Sequence, residues 1–183
     1  MNKLAALATA VLLNFSVNAA QDVSGVSVPD KVSVEGSSLN FKGAGVRSKF
    51  FIDLYVGSLF TQSAGTEVLK SSDMSAIRLN IISGLITSEK MVAAINEGFD
   101  SATGGNIAPI KAEISAFTQV FSNTIVEGDQ FTLVSVPGTG LKKFKNNQLL
   151  STIDNDVFRQ AVLAIWLGET PADDDLKEDM LGI

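Results

Sequence analysis

The sequence predicts a single α+β domain that follows a short N-terminal leader. Apolar and polar residues alternate with a period of two in regions around residues 23–83 and 129–150, which is typical of half-buried strands. Three other segments repeat apolar residues at helical spacing. No internal repeat, low-complexity tract or linker divides the chain, so the strands and helices are assigned to one domain at residues 21–183.

Residues 1–20 have the pattern of a secretory signal peptide. Lys3 supplies the positive charge, and the apolar run Leu4–Phe15 is too short to span a bilayer. Val17-Asn18-Ala19 is the first candidate cleavage pattern, and Ala20-Gln21 is the second. We therefore expect a cleaved leader and a periplasmic mature protein in a bacterial envelope, with an uncleaved N-terminal membrane anchor as the alternative.

The first half of the chain is predicted to consist mainly of strands. Val23–Val34 alternates around Pro29 and predicts an edge strand followed by a second short strand, because proline is confined to sheet edges. The sequence predicts turns at Glu35–Ser38 and Arg47, a helical turn or loop at Gly65–Ser72, and further strands at Leu39–Val46, Lys49–Phe60 and Ala76–Ser83.

The second half predicts helices around a second group of strands. Thr87 or Ser88 is a suitable N-cap for the first helix, and Asp154 or Asn155 for the third, which Gly168 would end. The predicted helices are Ser88–Phe99, Ile107–Phe121, Asp156–Leu167 and Asp173–Leu181. The predicted strands are Asp129–Val136, Leu141–Phe144 and Gln148–Leu150, with turns at Pro137–Gly140 and Asn146-Asn147.

Composition excludes several classes of function. The leader contains one of the 14 Lys and Arg residues and none of the 20 acids, so the mature charge is 13 − 20 = −7. This balance argues against nucleic-acid partners and against electrostatic docking on anionic lipid. There is no histidine and no cysteine, which removes Ser-His-Asp and Cys-His catalysis, disulfides and lipoprotein attachment. The acidic run Asp173–Asp175 is expected to be a helix cap rather than a metal site.

Arg47 and Tyr55 predict an anion-holding pair at the mouth of an apolar pocket. A guanidinium matches a carboxylate bidentately, and the hydroxyl of Tyr55, the only tyrosine, can donate to the same group. Two alternatives remain open: Arg47 is solvated or paired with an acid such as Asp53, and Tyr55 is a core residue. Strand periodicity places Asp53 with Tyr55 on one face and Leu54 with Val56 on the other. The apolar helix stripes can line a ligand tunnel or simply form the core.

Four groups of segments, in order along the chain, resemble the chalcone isomerase-like family. The first is Gly43-Ala44-Gly45-Val46-Arg47 with Lys49-Phe50 and Tyr55-Val56-Gly57, and the second is Ser88-Glu89-Lys90. The third is Glu127-Gly128-Asp129 with Pro137-Gly138-Thr139-Gly140 and Asn146-Asn147. The fourth is Phe158–Gly168 with Pro171, Leu176-Lys177 and Leu181-Gly182.

The resemblance implies a large antiparallel β-sheet with a layer of α-helices on one face, an open-faced β-sandwich, with the ligand cleft between the two. It implies no cofactor, and the residues themselves predict no metal site. The family's true isomerases close a chalcone phenolate onto an enone, and they use an arginine, a tyrosine, an asparagine and threonines for this. Its non-catalytic members bind fatty acids through the arginine and a tyrosine on the next strand.

Only part of the isomerase site carries over to this chain. The isomerases' arginine corresponds to Arg47. Their sheet threonine corresponds to Leu54, their tyrosine to Thr87, their asparagine to Ala94 and their later threonine or serine to Ala161. Asn96 lies near Ala94 in the sequence but is expected to point elsewhere. The tyrosine of the fatty-acid-binding members corresponds to Tyr55.

We therefore expect a periplasmic, non-catalytic binder of a fatty acid or a similar amphipathic carboxylate, with the head group held by Arg47 and Tyr55. One alternative is a chalcone isomerase-type intramolecular lyase that acts on a flavonoid-like or other enone substrate, with Arg47 and Thr87 as its catalytic residues. Another is an envelope protein with a filled cleft and a role in interaction.

Overall fold

The computed structural model describes residues 20–34, 36–121 and 123–183. The predicted signal peptide lies outside the described residues except for Ala20, and Glu35 of the predicted turn lies outside them as well. The strands are β1 (Ala20–Val23), β2 (Val26–Pro29), β3 (Lys31–Val34), β4 (Ser37–Lys49), β5 (Ile52–Thr61), β6 (Ser75–Ile81), β7 (Gln130–Val136), β8 (Gly140–Lys145) and β9 (Gln148–Ile153). The α-helices are α1 (Ser88–Thr103), α2 (Lys111–Gln119), α3 (Asp156–Leu167) and α4 (Asp174–Leu181).

The centre of the fold is an antiparallel sheet in which β3 to β9 follow one another in chain order. Each strand pairs with the next one along the chain, so β6 lies in the middle and β3 and β9 form the edges. β1 and β2 form a separate two-stranded sheet. The predicted α+β class with a large antiparallel sheet is confirmed.

The helices cover one face of the sheet. Leu59, Ile77, Leu79 and Leu133 point from the central strands into a helix-side cluster. The helices contribute buried apolar residues to this cluster: Met91, Ile95, Phe99, Ile114, Phe117, Phe158, Val162, Ile165, Trp166, Leu176 and Met180. The helix stripes seen in the sequence are thus the core that holds the layer of helices on the sheet.

The opposite face of the sheet carries a second apolar cluster. Val56, Phe60 and Val134 are fully buried there, and Val28 packs with them from the β1–β2 hairpin. Alternate residues of the central strands therefore face two different cores, as the period of two requires.

Helix ends largely follow the capping residues in the sequence. Thr87, Asn155 and Asp173 each accept a hydrogen bond from a first-turn backbone N–H, and each is a predicted cap. The first helix extends to Thr103 rather than Phe99, because Gly104 takes the left-handed conformation at its C-cap. The predicted helix Ile107–Phe121 is divided into a 3₁₀ turn at Ala108–Ile110 and α2. None of the helices in the described ranges is long and apolar enough to cross a bilayer.

The predicted turn at Arg47 is wrong. β4 continues through Arg47 to Lys49, and the turn falls on Phe50 and Phe51, whose φ angles are 52° and 64°. Hydrogen bonding to β5 keeps Arg47 extended, because Arg47 pairs with Tyr55 across the two strands. The segment Gly65–Ser72 forms bends and turns without a helix of its own.

The predicted faces of β5 are also partly wrong. The register passes from Arg47–Tyr55 to Ser48–Asp53, which leaves Leu54 as an extra residue in a bulge. Leu54 packs against the helix-side cluster together with Tyr55, while Val56 packs on the other side of the sheet. A period-two pattern cannot reveal a bulge, because one inserted residue restarts the alternation.

Candidate functional site

Arg47 and Tyr55 are brought together by the pairing of β4 with β5. They are directly opposite each other in the register, and both belong to the end of the hairpin that leads to the Phe50-Phe51 turn. Tyr55 packs against the helix-side cluster, and the charge of Arg47 acts on the Tyr55 hydroxyl. The two residues that the sequence singles out as an anion-holding pair are therefore neighbours on the helix side of the sheet.

Arg47 is already paired with a carboxylate. Its Nη1 donates to Oδ2 of Asp173 in an ion pair, and the two side chains are only 22% and 18% exposed. The same nitrogen donates to the carbonyl oxygen of Ser48 at 3.1 Å. The acid that pairs with Arg47 is Asp173 rather than Asp53, which accepts a hydrogen bond from the Ser48 hydroxyl at 2.7 Å instead.

Tyr55 is held by an indole from the helix layer. Nε1 of Trp166 in α3 donates to the Tyr55 hydroxyl oxygen at 3.1 Å. Burial raises the pKa of Tyr55, and the Trp166 hydrogen bond and the Arg47 charge oppose this effect only in part. Tyr55 is therefore a neutral phenol at neutral pH, and its own proton is not used in the contact with Trp166.

Asp173 has two roles, one for each carboxylate oxygen. Oδ1 accepts a hydrogen bond of 2.8 Å from the backbone N–H of Leu176 and so caps α4, while Oδ2 meets Arg47. The start of the last helix is thus tied directly to the anion-holding arginine.

Three glycines let α4 lie close against the sheet beside this pair. A Cβ atom on Gly43 would lie 2.1 Å from the carbonyl oxygen of Asp179, and one on Gly45 would lie 2.3 Å from the Asp179 carboxylate. A Cβ atom on Gly57 would lie 3.1 Å from Leu176 and 3.2 Å from Met180, a tight contact rather than a collision. The Gly43-Ala44-Gly45 motif therefore serves the docking of α4 and is not a loop that binds a ligand itself.

The positions that correspond to the isomerase site are dispersed. Thr87 is exposed, and its hydroxyl caps α1 by accepting a hydrogen bond from the backbone N–H of Lys90 at 3.3 Å. Ala94 is exposed on the same helix, as is Asn96. Ala161 lies in the helix-side cluster. The structure brings neither Thr87 nor another polar group from these positions to Arg47.

Two pockets of the described surface are lined by other residues. One, of about 380 Å³, is lined by Gly25, Val26, Asn80, Ile81, Ile82, Glu127 and Gly128. The other, of about 240 Å³, is lined by residues between Ser63 and Ser71. Among the described residues, no three acidic side chains are grouped so that they can hold a metal ion.

Asp173 and Trp166 are the residues of the site that sequence reasoning missed. The sequence predicts Asp173 as part of a helix cap, which is correct but incomplete, and it gives Trp166 no role beyond a place in the predicted helix Asp156–Leu167. Both come from the C-terminal third of the chain, more than 100 residues from their partners. An acidic residue directly before a helical segment indicates that Asp173 caps α4. Nothing in the sequence indicates that Arg47 is its partner.

Comparison with known proteins agrees with the fold. A family model described as chalcone isomerase-like matches residues 20–182. The crystal structure of a fatty-acid binding protein from Arabidopsis thaliana matches with a TM-score of 0.71 and 18% sequence identity, and the match covers 86% of this chain and 92% of that chain. No curated protein matches the sequence.

Proposed function

The chain belongs to the chalcone isomerase-like family, and from that membership we propose that it binds a fatty acid or a similar amphipathic carboxylate without catalysing a reaction on it. The similar fold of a plant fatty-acid binding protein supports a binding role. The arrangement of Arg47 opposite Tyr55, with a carboxylate at the guanidinium, is the observation that carries the proposal.

The ligand's head group takes the place that the Asp173 carboxylate occupies at Arg47. A carboxylate there receives charge-assisted hydrogen bonds from the guanidinium. Tyr55 adds a second donor, because its hydroxyl oxygen accepts from Trp166 and its proton remains to be donated. Asp173 is therefore an internal competitor for the ligand's head group.

The apolar tail lies among the residues that already surround Tyr55 on the helix side. A binding site of this kind is mostly apolar and has a few placed polar groups. Because Asp173 caps α4 and the head group takes its place at Arg47, entry of a ligand displaces the start of this helix. Binding thus exchanges an internal ion pair for one with the ligand.

Leu54, Ala94 and Ala161 support binding over chalcone-type chemistry. An isomerase needs groups that position water and polarise a ketone, and apolar side chains cannot supply them. Thr87 has a hydroxyl, but it is used to cap α1. An absorbance assay is expected to show no loss of chalcone above the uncatalysed rate.

The binder works in the periplasm after removal of residues 1–20. The apolar leader and its small-residue cleavage pattern support this location. Cell fractionation with a mass measurement of the recovered chain tests it. A cytoplasmic protein with an intact N-terminus would contradict the location without touching the binding proposal.

Native mass spectrometry of protein purified from cells tests the binding function. The wild-type chain is expected to carry an amphipathic carboxylate, and Arg47→Ala is expected to weaken its binding roughly 10- to 100-fold through loss of the charge-assisted hydrogen bonds. Tyr55→Phe keeps the ring and removes only the hydroxyl, so a smaller loss is expected.

Lys31→Ala is the matched control, because Lys31 is an exposed cation on the edge strand of the same sheet. It should bind as the wild type does. A wild-type protein with no bound carboxylate, or an Arg47→Ala variant that retains it undiminished, would overturn the proposal.

A further inference from the structure

The turn between β4 and β5 exposes two phenylalanines. Phe50 is 83% exposed and Phe51 is fully exposed, while the next residue, Ile52, is 43% exposed. Lys49 and Ile52 close a two-residue loop, so the two rings stand at the very tip of the hairpin. Large exposed apolar groups that adjoin one another mark interaction sites more often than scattered ones do.

The backbone of this turn makes the choice of phenylalanine costly. A two-residue hairpin of this kind needs positive φ at both central positions, which favours asparagine and glycine and penalises bulky side chains. Elsewhere this chain builds the same kind of loop from Ser24-Gly25 and Asn146-Asn147. Phe50 and Phe51 adopt φ angles of 52° and 64° with side chains that are almost entirely exposed. Strain of this kind persists at functional positions.

We propose that the Phe50-Phe51 tip inserts into the interfacial region of a lipid bilayer. Apolar side chains such as Phe and Trp enter the boundary between head groups and acyl chains, and a protruding tip can enter a bilayer without a matching surface on a partner. Lys49 lies beside the tip, with its Nζ 5.9 Å from the Phe50 ring centroid, where its long stem can keep the charge at the head groups.

A bilayer fits this tip better than a protein partner does. Two phenylalanines offer roughly 150–250 Å² of buried surface each. Even their combined area is well below the ~800 Å² per partner of a stable protein interface. The mature charge of 13 − 20 = −7 gives no attraction to anionic lipid, so the binding is apolar and only weakly dependent on salt. The membrane proposal does not depend on the ligand proposal. Insertion of the tip would nevertheless place Arg47, three residues along the strand, within about 10 Å of the membrane.

Vesicle flotation tests the tip, with vesicles of phosphatidylcholine alone and vesicles that also contain phosphatidylglycerol. The assay uses the chain purified from cells in its processed form, and a mass measurement identifies that form. The double variant Phe50→Asn with Phe51→Gly supplies the favoured turn residues and removes both rings. We expect it to lower vesicle partitioning roughly tenfold or more and to raise the Tm by about 4 °C or more, because the turn strain is relieved.

Val157→Asn is the control, because Val157 is 63% exposed on α3, away from the turn, and its loss should leave partitioning unchanged. A second variant, Phe50→Trp, places an indole at the tip while Trp166 stays buried. The fluorescence of the indole introduced at position 50 should shift to the blue when vesicles are added and should be quenched by brominated lipid.

Three results would overturn the proposal. They are a wild-type protein that does not float, a double variant that floats equally well, and a wild-type dimer that the double variant abolishes in light scattering. The last result would assign the tip to a second copy of the chain.

Discussion

Lys143 is a buried lysine whose charge state differs from its ordinary one. It is 1% exposed on β8, and its Nζ lies 2.8 Å from the ring centroid of Phe121 and 4.8 Å from that of Phe117. Within the described residues this nitrogen has no hydrogen-bond partner. Burial lowers the pKa of Lys143 to about 6, and repulsion from Lys145 adds to the effect. The amine is therefore neutral in the folded protein at neutral pH.

Replacing Lys143 should change how stability depends on pH. The folded pKa is about 6 and the ordinary value is 10.5, so between them the unfolded chain binds a proton that the folded one does not. This lysine therefore lowers the free energy of unfolding as the pH falls from 10.5 towards 6, by up to about 1.4 kcal/mol per pH unit. Urea denaturation of Lys143→Met across this range should lack that decline and show higher stability at pH 7.

The control for Lys143→Met is Lys111→Met, which removes an exposed lysine from α2. Its pH profile should follow that of the wild type. A parallel profile for Lys143→Met would mean that Lys143 is protonated in the folded protein.

Asp173 is expected to limit ligand affinity. Asp173→Asn keeps an oxygen that can accept from the N–H of Leu176, so the α4 cap survives, but it removes the charge that holds Arg47. The ligand then has no competitor, and its affinity should rise on the order of tenfold. Titration with a fatty acid below its micelle concentration measures this. The control is Asp174→Asn, which removes an exposed acid in the same helix turn and should leave affinity unchanged. An Asp173→Asn variant that binds no more tightly would show that Asp173 does not compete with the ligand for Arg47.

At the scale of elements, the contact of α4 with β4 connects the site to the end of the chain. Glycines on the sheet remove the side chains that would otherwise separate the helix from the strand, so backbone meets backbone there. The Cβ of an alanine at Gly43 would collide with the carbonyl oxygen of Asp179, which cannot move without its helix.

Gly43→Ala should therefore loosen α4 and destabilise the protein. Overpacking against backbone costs about 1–3 kcal/mol, and we expect a loss of that size in urea denaturation, with faster hydrogen exchange in α4. Gly84→Ala is the matched control, because a Cβ there meets open space. Equal stability of the two variants would show that α4 is not held by this close contact.

At the scale of the whole molecule, the order of the strands predicts the order of opening. β6 is central in the sheet and is buried along nearly its whole length, whereas β9 is an edge strand in which alternate residues are exposed. Hydrogen exchange should therefore be slowest in β6 and its neighbours β5 and β7, and faster in β9 and in the β1–β2 hairpin. Exchange in β9 as slow as in β6 would mean that the edge is covered by something beyond the described chain.

The sequence alone determined the class of the fold and most of its elements. The local spacing of apolar residues distinguishes strands from helices. Caps such as Thr87 and Asn155 accept hydrogen bonds from N–H groups within three residues. α3 begins and ends where the sequence predicts it. The sequence also singled out Arg47 and Tyr55 together, but it placed a turn at Arg47, so their cross-strand register came only from the structure.

Only the tertiary structure decided what surrounds that pair. Asp173 and Trp166 reach Arg47 and Tyr55 from helices more than 100 residues away, and no local pattern records such a meeting. The bulge at Leu54 and the extension of β4 past Arg47 likewise depend on pairing with β5. The physical reason is the same in each case: period and capping are set by neighbours along the chain, whereas the partner of a charge or a hydroxyl is set by how the helix layer packs on the sheet.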